Sequence, residues 1–362
     1  NLGDNGLAAT ATLNYPYSVV ANSIGEIFIS DQGNHRIRMI AMGGVITTIA
    51  GTGSPGASGD NGQATNANIG SIGGLAINSA GDLFMADTEN HCIRKVSAAS
   101  QIITNCICGP DSGEYFGDNV FANSTPLSRP AGIAVKSNGE LLIADSFNQR
   151  IRRVATNGII STIAGNGVAG FSGESGIAID AKLYAPTSAT VINTGAVIIS
   201  DSGNSKIRKV DRNGIITAFA GNGIGGFGGD GGSALNALLR NAGDVVVTDD
   251  GDLLFVDTNN HRIRNVFSNG TIVTIAGNGT RGFTGDDVLA TDAALNQPRS
   301  VAHKNGEVYI ADAGNNRVRK ILTNGIIITI AGNGNSGYCG DGGPAINACV
   351  NRPVSVVVNN DG

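Results

Sequence analysis

Six times in this chain an aspartate is followed by asparagine at +3 and arginine at +7. The copies are Asp31-Asn34-Arg38, Asp87-Asn90-Arg94, Asp145-Asn148-Arg152, Asp201-Asn204-Arg208, Asp257-Asn260-Arg264 and Asp312-Asn315-Arg319. Successive aspartates lie 56, 58, 56, 56 and 55 residues apart. Length alone suggests two or three domains for 362 residues. Units of this size cannot bury a core separately, however, so the repeat predicts one stacked body over residues 1–362. A residue repeated six times is expected to serve architecture, and a chemical site is expected among the exceptions to the repeat.

The fifth copy shows what one unit is. Residues 243–248 form a short β-branched run ended by Asp249-Asp250-Gly251, and 253–256 form a second apolar run stopped at Asp257. Residues 261–266 alternate, and Ser268-Asn269-Gly270 turns the chain into 271–276. Four short strands separated by residues that accept turn conformations make an antiparallel sheet. The strands are apolar on both faces, so each sheet needs a neighbour on either side. Radial stacking supplies one, and the predicted fold is all-β: a six-bladed β-propeller of four-stranded antiparallel blades, with short helical turns in the inter-blade loops. The 54 glycines and a charged fraction of only 15% suit tight turns and short strands.

Within a blade, the Asp and Asn are expected to hold the turn after the second strand. The arginine, on the third strand, needs an acidic partner, and the repeated Asp is the expected one. The segments SDQGNHRIRMI at 30–40 and VDTNNHRIRNV at 256–266 resemble the NHL repeat. The resemblance runs through all six units and implies a six-bladed propeller. The second copy departs with Cys92 where others have Arg or Lys, and the third, fourth and sixth lack the His.

The fourth strands end at Gly51, Gly109, Gly165, Gly221, Gly277 and Gly332. Six residues on stands an aromatic (Tyr115, Phe171, Phe227, Phe283, Tyr338), replaced by Ala57 in the first copy. Nine residues on stands a carboxylate: Asp60, Asp118, Glu174, Asp230, Asp286 or Asp341. The stretch from Asp341 through Pro344 to Ala348 reads as a helix start, with the carboxylate capping free N–H groups. Calcium is the competing reading, with Asp286 and Asp287 its best ligands, but each loop offers too few carboxylates for the six to eight oxygens Ca²⁺ takes. No cofactor or metal is therefore expected. The second-to-third-strand turns and the inter-blade crossovers lie at one end of an up-and-down blade, which makes that long-loop face the expected binding face.

His35, His91 and His261 occupy one repeat position in three different blades, and His303 stands alone in a first strand. NHL-like propellers include a lyase with several histidines converging on a metal, and the first strands here offer no such set. Serine-nucleophile and Walker-type motifs are absent. Cys339 and Cys349 flank one crossover, and Cys92 and Cys106 lie on adjacent strands of the second unit. Both pairs suit disulfides, leaving Cys108 over, with connectivity open. Asn123, Asn269 and Asn278 head glycosylation sequons in turns. Cysteine pairs, sequons and acidity together point to an extracellular or cell-surface setting.

Residues 3–25 match 340–362 at an offset of 337, so 338–362 begins a seventh, incomplete repeat. Such a segment belongs to a longer array, closes the ring on itself, or adds to another molecule in self-assembly. The net charge of −5 disfavours nucleic acid, and no apolar run reaches the ~20 residues needed to insert in a membrane. The expected function is that of a non-catalytic extracellular scaffold within a larger surface protein. It would serve adhesion, ligand sensing or assembly, with a protein or glycan ligand at the long-loop face. The alternatives are an axial-metal lyase or hydrolase, and an intracellular protein- or RNA-binding propeller. The resemblance to NHL proteins covers all of these roles.

Overall fold

A computed structural model of the chain describes residues 3–108, 115, 117–337, 339–340 and 343–358. Gly109, Tyr338 and Asp341 of the repeat pattern lie outside them. The fold is a six-bladed, all-β propeller whose six antiparallel sheets carry four or five strands each, with only short 3-10 turns between strands. Contacts group the chain into two compact units, residues 1–169 with 178–189, and residues 170–177 with 190–362.

In the first unit, the first blade runs from an inner strand Pro16–Ala21 through Ile27–Asp31 and Arg36–Ile40 to an outer strand Val45–Ala50. The second runs Ile72–Ile77, Leu83–Asp87, Cys92–Val96, Ile103–Ile107; the third Ile133–Val135, Leu141–Asp145, Arg150–Val154, Ile159–Ala164. In the second unit the fifth blade repeats this order with Ala242–Val247, Leu253–Asp257, Arg262–Val266 and Ile272–Ala276, matching the four strands expected of that unit. The sixth follows with Ser300–Lys304, Glu307–Asp312, Arg317–Ile321 and Ile326–Ala331.

Four blades hold a fifth strand that the sequence reading did not anticipate. Gly6–Leu7, Val120–Phe121, Gly176–Ile177 and Val288–Leu289 each come from the crossover before a blade and pair with that blade's outer strand. In blades two and five the same place holds the single bridges Gln63↔Ile102 and Ser233↔Thr271. Each crossover thus covers an outer edge that would otherwise present unpaired N–H and C=O groups.

The crossover also packs inward. Ala64, Ala122, Ala178, Ala234 and Ala290 are buried, as are Ile69, Leu127, Leu183, Leu239 and Leu295. Small residues are required because the crossover backbone lies directly on the preceding blade: Gly51 N–H donates to Ala64 O, and Gly277 N–H to Ala290 O. Gly277 itself sits at φ +91°, and a Cβ there would run into the carbonyl of His261, so this position takes only glycine.

Residues 343–358 repeat the hydrogen bonds of this pattern on blade six but not its burial, since Ala345 is exposed and Val350 half-buried. Gly332 N–H donates to Ala345 O, Asn333 N–H to Ala348 O, and Val356 N–H to Ser300 Oγ.

Every blade has a β-bulge between the third and outer strands, and blades one, two and five carry a second register shift between the inner and second strands. In blade two the bulge corrects the expected cysteine pairing. Arg94 faces Asn105 and Ile93 faces Ile107, so Cys106 is the extra residue and the register delivers Cys92 to Cys108. The disulfides are Cys92–Cys108 and Cys339–Cys349, and Cys106 is the free thiol. Burial pushes that thiol up to about 12, which leaves it unreactive. Peptide mapping without reduction should recover the 92–108 and 339–349 links. A 92–106 link in the folded protein would contradict the bulge register.

Candidate functional site

The long-loop end of each blade is built on its buried arginine. Arg38, Arg94, Arg152, Arg208, Arg264 and Arg319 are all 0% exposed. Each pairs at 2.7–3.0 Å with the carboxylate of the crossover that enters its blade: Asp4, Asp60, Asp118, Glu174, Asp230 and Asp286. Its own signature aspartate lies farther off, at 3.3–3.9 Å. The crossover carboxylates are therefore not helix caps. The 3-10 turns that follow, such as Ala64–Asn66 and Ala234–Asn236, have no side-chain cap, because a buried guanidinium attracts a carboxylate more strongly than turn N–H groups do. Threonine hydroxyls on the outer strands add to the hold, Thr274 on Asp230 and Thr329 on Asp286. Asp286 thus faces Arg319 and Thr329, and Asp287 stands beside it in a left-handed turn at φ 62°. Among the described residues no group of three His, Cys, Asp or Glu is placed to hold a metal ion.

The signature aspartates hold the turn, as the sequence suggests. In all six copies the Asn side chain donates to the Asp three residues before it. The Asp also accepts the backbone N–H that opens its blade's inner segment, at Asn14, Gly70, Ser128, Arg240 and Asn296. The same asparagines reach back to crossover carbonyls at Gly56, Gly170, Gly226 and Gly282. Burial raises Asp87, Asp145 and Asp312 to about 6 against the pull of these donors and the arginine. By linkage, the stabilisation from these raised acids is complete below the ordinary aspartate pKa and is lost as pH rises through about 6.

Two layers of the site were not read from the sequence. The first is an aromatic–cation stack. Tyr115 lies under Arg150 at 3.7 Å, Phe171 under Lys206 at 4.5 Å, Phe227 under Arg262 at 3.4 Å and Phe283 under Arg317 at 3.7 Å. The upper cation also donates to a carbonyl at the end of the outer strand, as Arg150 does to Asn166 O and Arg317 to Asn333 O, sixteen residues on. The signal was present in sequence: Ala57 and Cys92, the two departures, fall on the two members of one such pair. Cys92 is joined to Cys108, also sixteen residues on, so a covalent bond takes the place of the hydrogen bond.

The second layer explains the histidines. The residue after each signature Asn is in the left-handed conformation in every blade: His35, His91, Gln149, Ser205, His261 and Asn316. His91 Nδ1 accepts the backbone N–H of Arg129 at 3.1 Å, and His261 Nδ1 that of Gln297 at 3.0 Å. Gln149 Oε1 accepts Ala185 N–H, and Asn316 Oδ1 accepts Arg352 N–H. Histidine, glutamine and asparagine are interchangeable here because all three offer an acceptor at the same reach. His35 Nδ1 instead lies 3.4 Å from the Gly70 carbonyl, and His303 Nδ1 lies 3.7 Å from an Asp249 carboxylate oxygen.

All three sequon asparagines, Asn123, Asn269 and Asn278, are exposed. The Asn278 amide also donates to Asp292 O at 2.9 Å, as Asn166 does to Asp180 O and Asn333 to Asn347 O at their crossovers. Exposed apolar side chains gather on the crossovers, among them Ile224 and Phe227 in the second unit. No helix among the described residues is long and apolar enough to cross a membrane.

The repeated blade, its bulge and its shared arginine define a six-bladed β-propeller of the repeat type. The Teneurin NHL domain family matches residues 98–170, and the NHL repeat family matches 295–321. These matches, together with relatives of the chain, support an NHL-repeat β-propeller family for it. Mouse Teneurin-1 is 31% identical over 236 residues, 58% of this chain, and human NHL repeat-containing protein 2 is 25% identical over 347 residues, 84% of this chain. The chain spans only 8% of that teneurin and 46% of the NHL repeat-containing protein. Among solved structures, a streptogramin B lyase superimposes with a TM-score of 0.59 at 17% identity, over 88% of this chain and 84% of the lyase. An auxiliary nutrient binding protein from Bacteroides ovatus does so at 0.58 and 17%, over 91% and 76%. At these identities the likeness is one of fold.

Two measurements test this architecture. Replacing Arg264 by Leu leaves Asp257 buried without its cation and should cost about 3–5 kcal/mol in urea unfolding. Adding Asp257→Asn should recover part of that loss. His261 accepts through Nδ1 and is neutral, and burial with Arg281, Arg262 and Arg240 nearby holds its pKa below the usual imidazole range. Its contribution is therefore full above pH ~6.5 and lost as pH falls through the lowered value. His261→Gln keeps an acceptor that does not titrate. The stability of the wild type relative to this variant should fall between pH 7 and pH 5, and a pH-independent difference would contradict the assignment.

Proposed function

We propose that the chain is a non-catalytic, extracellular NHL propeller that binds a protein or glycan ligand through its long-loop face. One observation carries this reading. The polar residues that recur in every blade are engaged within the fold, whereas the crossovers carry exposed side chains that differ from blade to blade. Ile224 is 64% exposed where the crossover after blade one has Ser54 and the crossover after blade five has Thr280. A fixed frame with variable loops is the arrangement from which propellers build recognition. The extracellular setting is supported by the two disulfides, which persist in oxidising compartments, and by the exposed sequons at Asn123 and Asn269.

The test is cell retention on beads coated with the secreted, glycosylated chain. Ile224→Asp on the long-loop face should reduce retention about ten-fold. Met42→Asp, in the turn between third and outer strands at the opposite end of its blade, should leave it unchanged. Equal retention by wild type and Ile224→Asp, or a loss confined to Met42→Asp, would overturn the reading.

A further inference from the structure

Two arginines at positions where other blades carry different residues lie beside one histidine of the second unit. Arg240 stands seventeen residues before its signature aspartate, where other blades have Asn14, Gly70, Ser128 and Tyr184. Arg281 stands four residues after its outer-strand glycine, where others have Pro55, Ala169, Gly225 and Ser336. Both arginines are exposed, and neither has an ion pair among the described residues.

Hydrogen bonds place both beside His261. The Arg240 carbonyl accepts the N–H of Asn259, two residues before His261, at 3.2 Å. Arg281 bridges to Leu295, and its Nε donates to Asn296 Oδ1 at 3.2 Å; the next residue, Gln297, donates its N–H to His261 Nδ1. With Nδ1 engaged as an acceptor, the proton of the neutral ring sits on Nε2, which makes the ring's other edge a donor. The charges acting on His261 are Arg281, Arg262 and Arg240, all positive. Arg262 gives its own donors to Asn260 O and Asn278 O and lies over Phe227, so it adds an apolar flank more than a free donor.

We propose that Arg240, His261 and Arg281 form a carboxylate-binding site on the long-loop face of blade five, and that its ligand is an acidic segment of a partner polypeptide. The proposal rests on the long-loop reading above and names the chemistry of one site within it. Two guanidiniums with unassigned donors and an imidazole N–H suit a carboxylate, which accepts from several donors at once. An exposed aromatic and Ile224 on the neighbouring crossover suit a segment in which acidic and apolar residues alternate. A densely charged polyanion fits poorly, because the surrounding protein is acidic overall, at −5.

The experiment uses the full chain with three probes: a fluorescent peptide alternating glutamate and leucine, a lysine–leucine peptide of the same length, and inorganic sulfate. The variants are Arg240→Ser and Arg281→Ala, alone and combined; each introduces a residue that another blade carries at the same place, so the fold should be unaffected and an unchanged thermal midpoint checks it. The glutamate peptide should bind, the lysine peptide should not, and the double variant should lose at least ten-fold in affinity. His261→Gln should lose less, since it keeps the contact to Gln297. Equal affinity of wild type and double variant, no detectable binding of the glutamate peptide, or binding of sulfate without the peptide would each overturn the assignment. Cell retention separates the two readings. Retention lost with Ile224→Asp but intact in the double variant would remove this site and leave the long-loop face standing.

Discussion

Six fully buried guanidiniums hold this propeller together, and each is shared. On one side lies the aspartate of its own blade, on the other the carboxylate of the crossover that enters that blade. A side chain serving both at once needs several donors in a fixed plane, which arginine has and lysine lacks. Further donors go to crossover carbonyls, such as Gly117 O from Arg152 and Gly285 O, 34 residues back, from Arg319. The cluster therefore converts a flexible connection into part of the sheet. That is why the crossover can carry a fifth strand to the outer edge and why alanines beneath it can be closed off from water. A buried charge cluster contributes little net stability compared with apolar packing, but removing one member leaves the others uncompensated. Its role here is specificity: it admits one register of crossover on blade.

A second clamp backs the first, and blade two shows that it works as a unit. In blades three, five and six the aromatic lies beneath the cation and the outer-strand carbonyl sixteen residues away accepts from it, while in blade four Lys206 lies over Phe171 and donates to Gly221 O, fifteen residues on. Where the cation is replaced by Cys92, the aromatic is replaced by Ala57, and the residue sixteen away is Cys108. Loss of the stacking partner and gain of a covalent link solve the same mechanical problem, that of fixing the end of the outer strand before the chain leaves the sheet. The disulfide is thus intelligible as a substitution within the repeat and not as an addition to it.

The fold was legible because its signals are local and periodic: turn residues, strand-length apolar runs and a signature repeated six times. The Asp–Asn contact was legible for the same reason, since its partners are three residues apart. What escaped were contacts set by register and by neighbouring units. The partner of Cys92 moved from Cys106 to Cys108 because of a bulge that each blade carries, at Ile49, Cys106, Ile163, Phe219, Ile275 and Ile330. The crossover carboxylate, read as a cap on a turn a few residues on, instead reaches an arginine 34 residues away in most copies. The residue after the signature Asn looked like an optional histidine, whereas its alternatives Gln149 and Asn316 share its acceptor, a chemical likeness that residue identity conceals.

That acceptor position bears on where recognition can arise in a repeat protein. A residue committed to the frame is ordinarily unavailable for binding, as the six arginines are. Histidine at this position differs because its two nitrogens point to different tasks: Nδ1 of His261 holds Gln297, while Nε2 is left with a proton to donate. Glutamine and asparagine fill the structural half of this role in other blades, so the structural contact alone does not require a ring. A site placed on such a residue inherits the rigidity of the frame without loosening it, and it needs only neighbours that break the pattern. Arg240 and Arg281 are such neighbours. Specificity in this chain then comes from two substitutions beside a preorganised imidazole, which is a smaller change than building a binding loop anew.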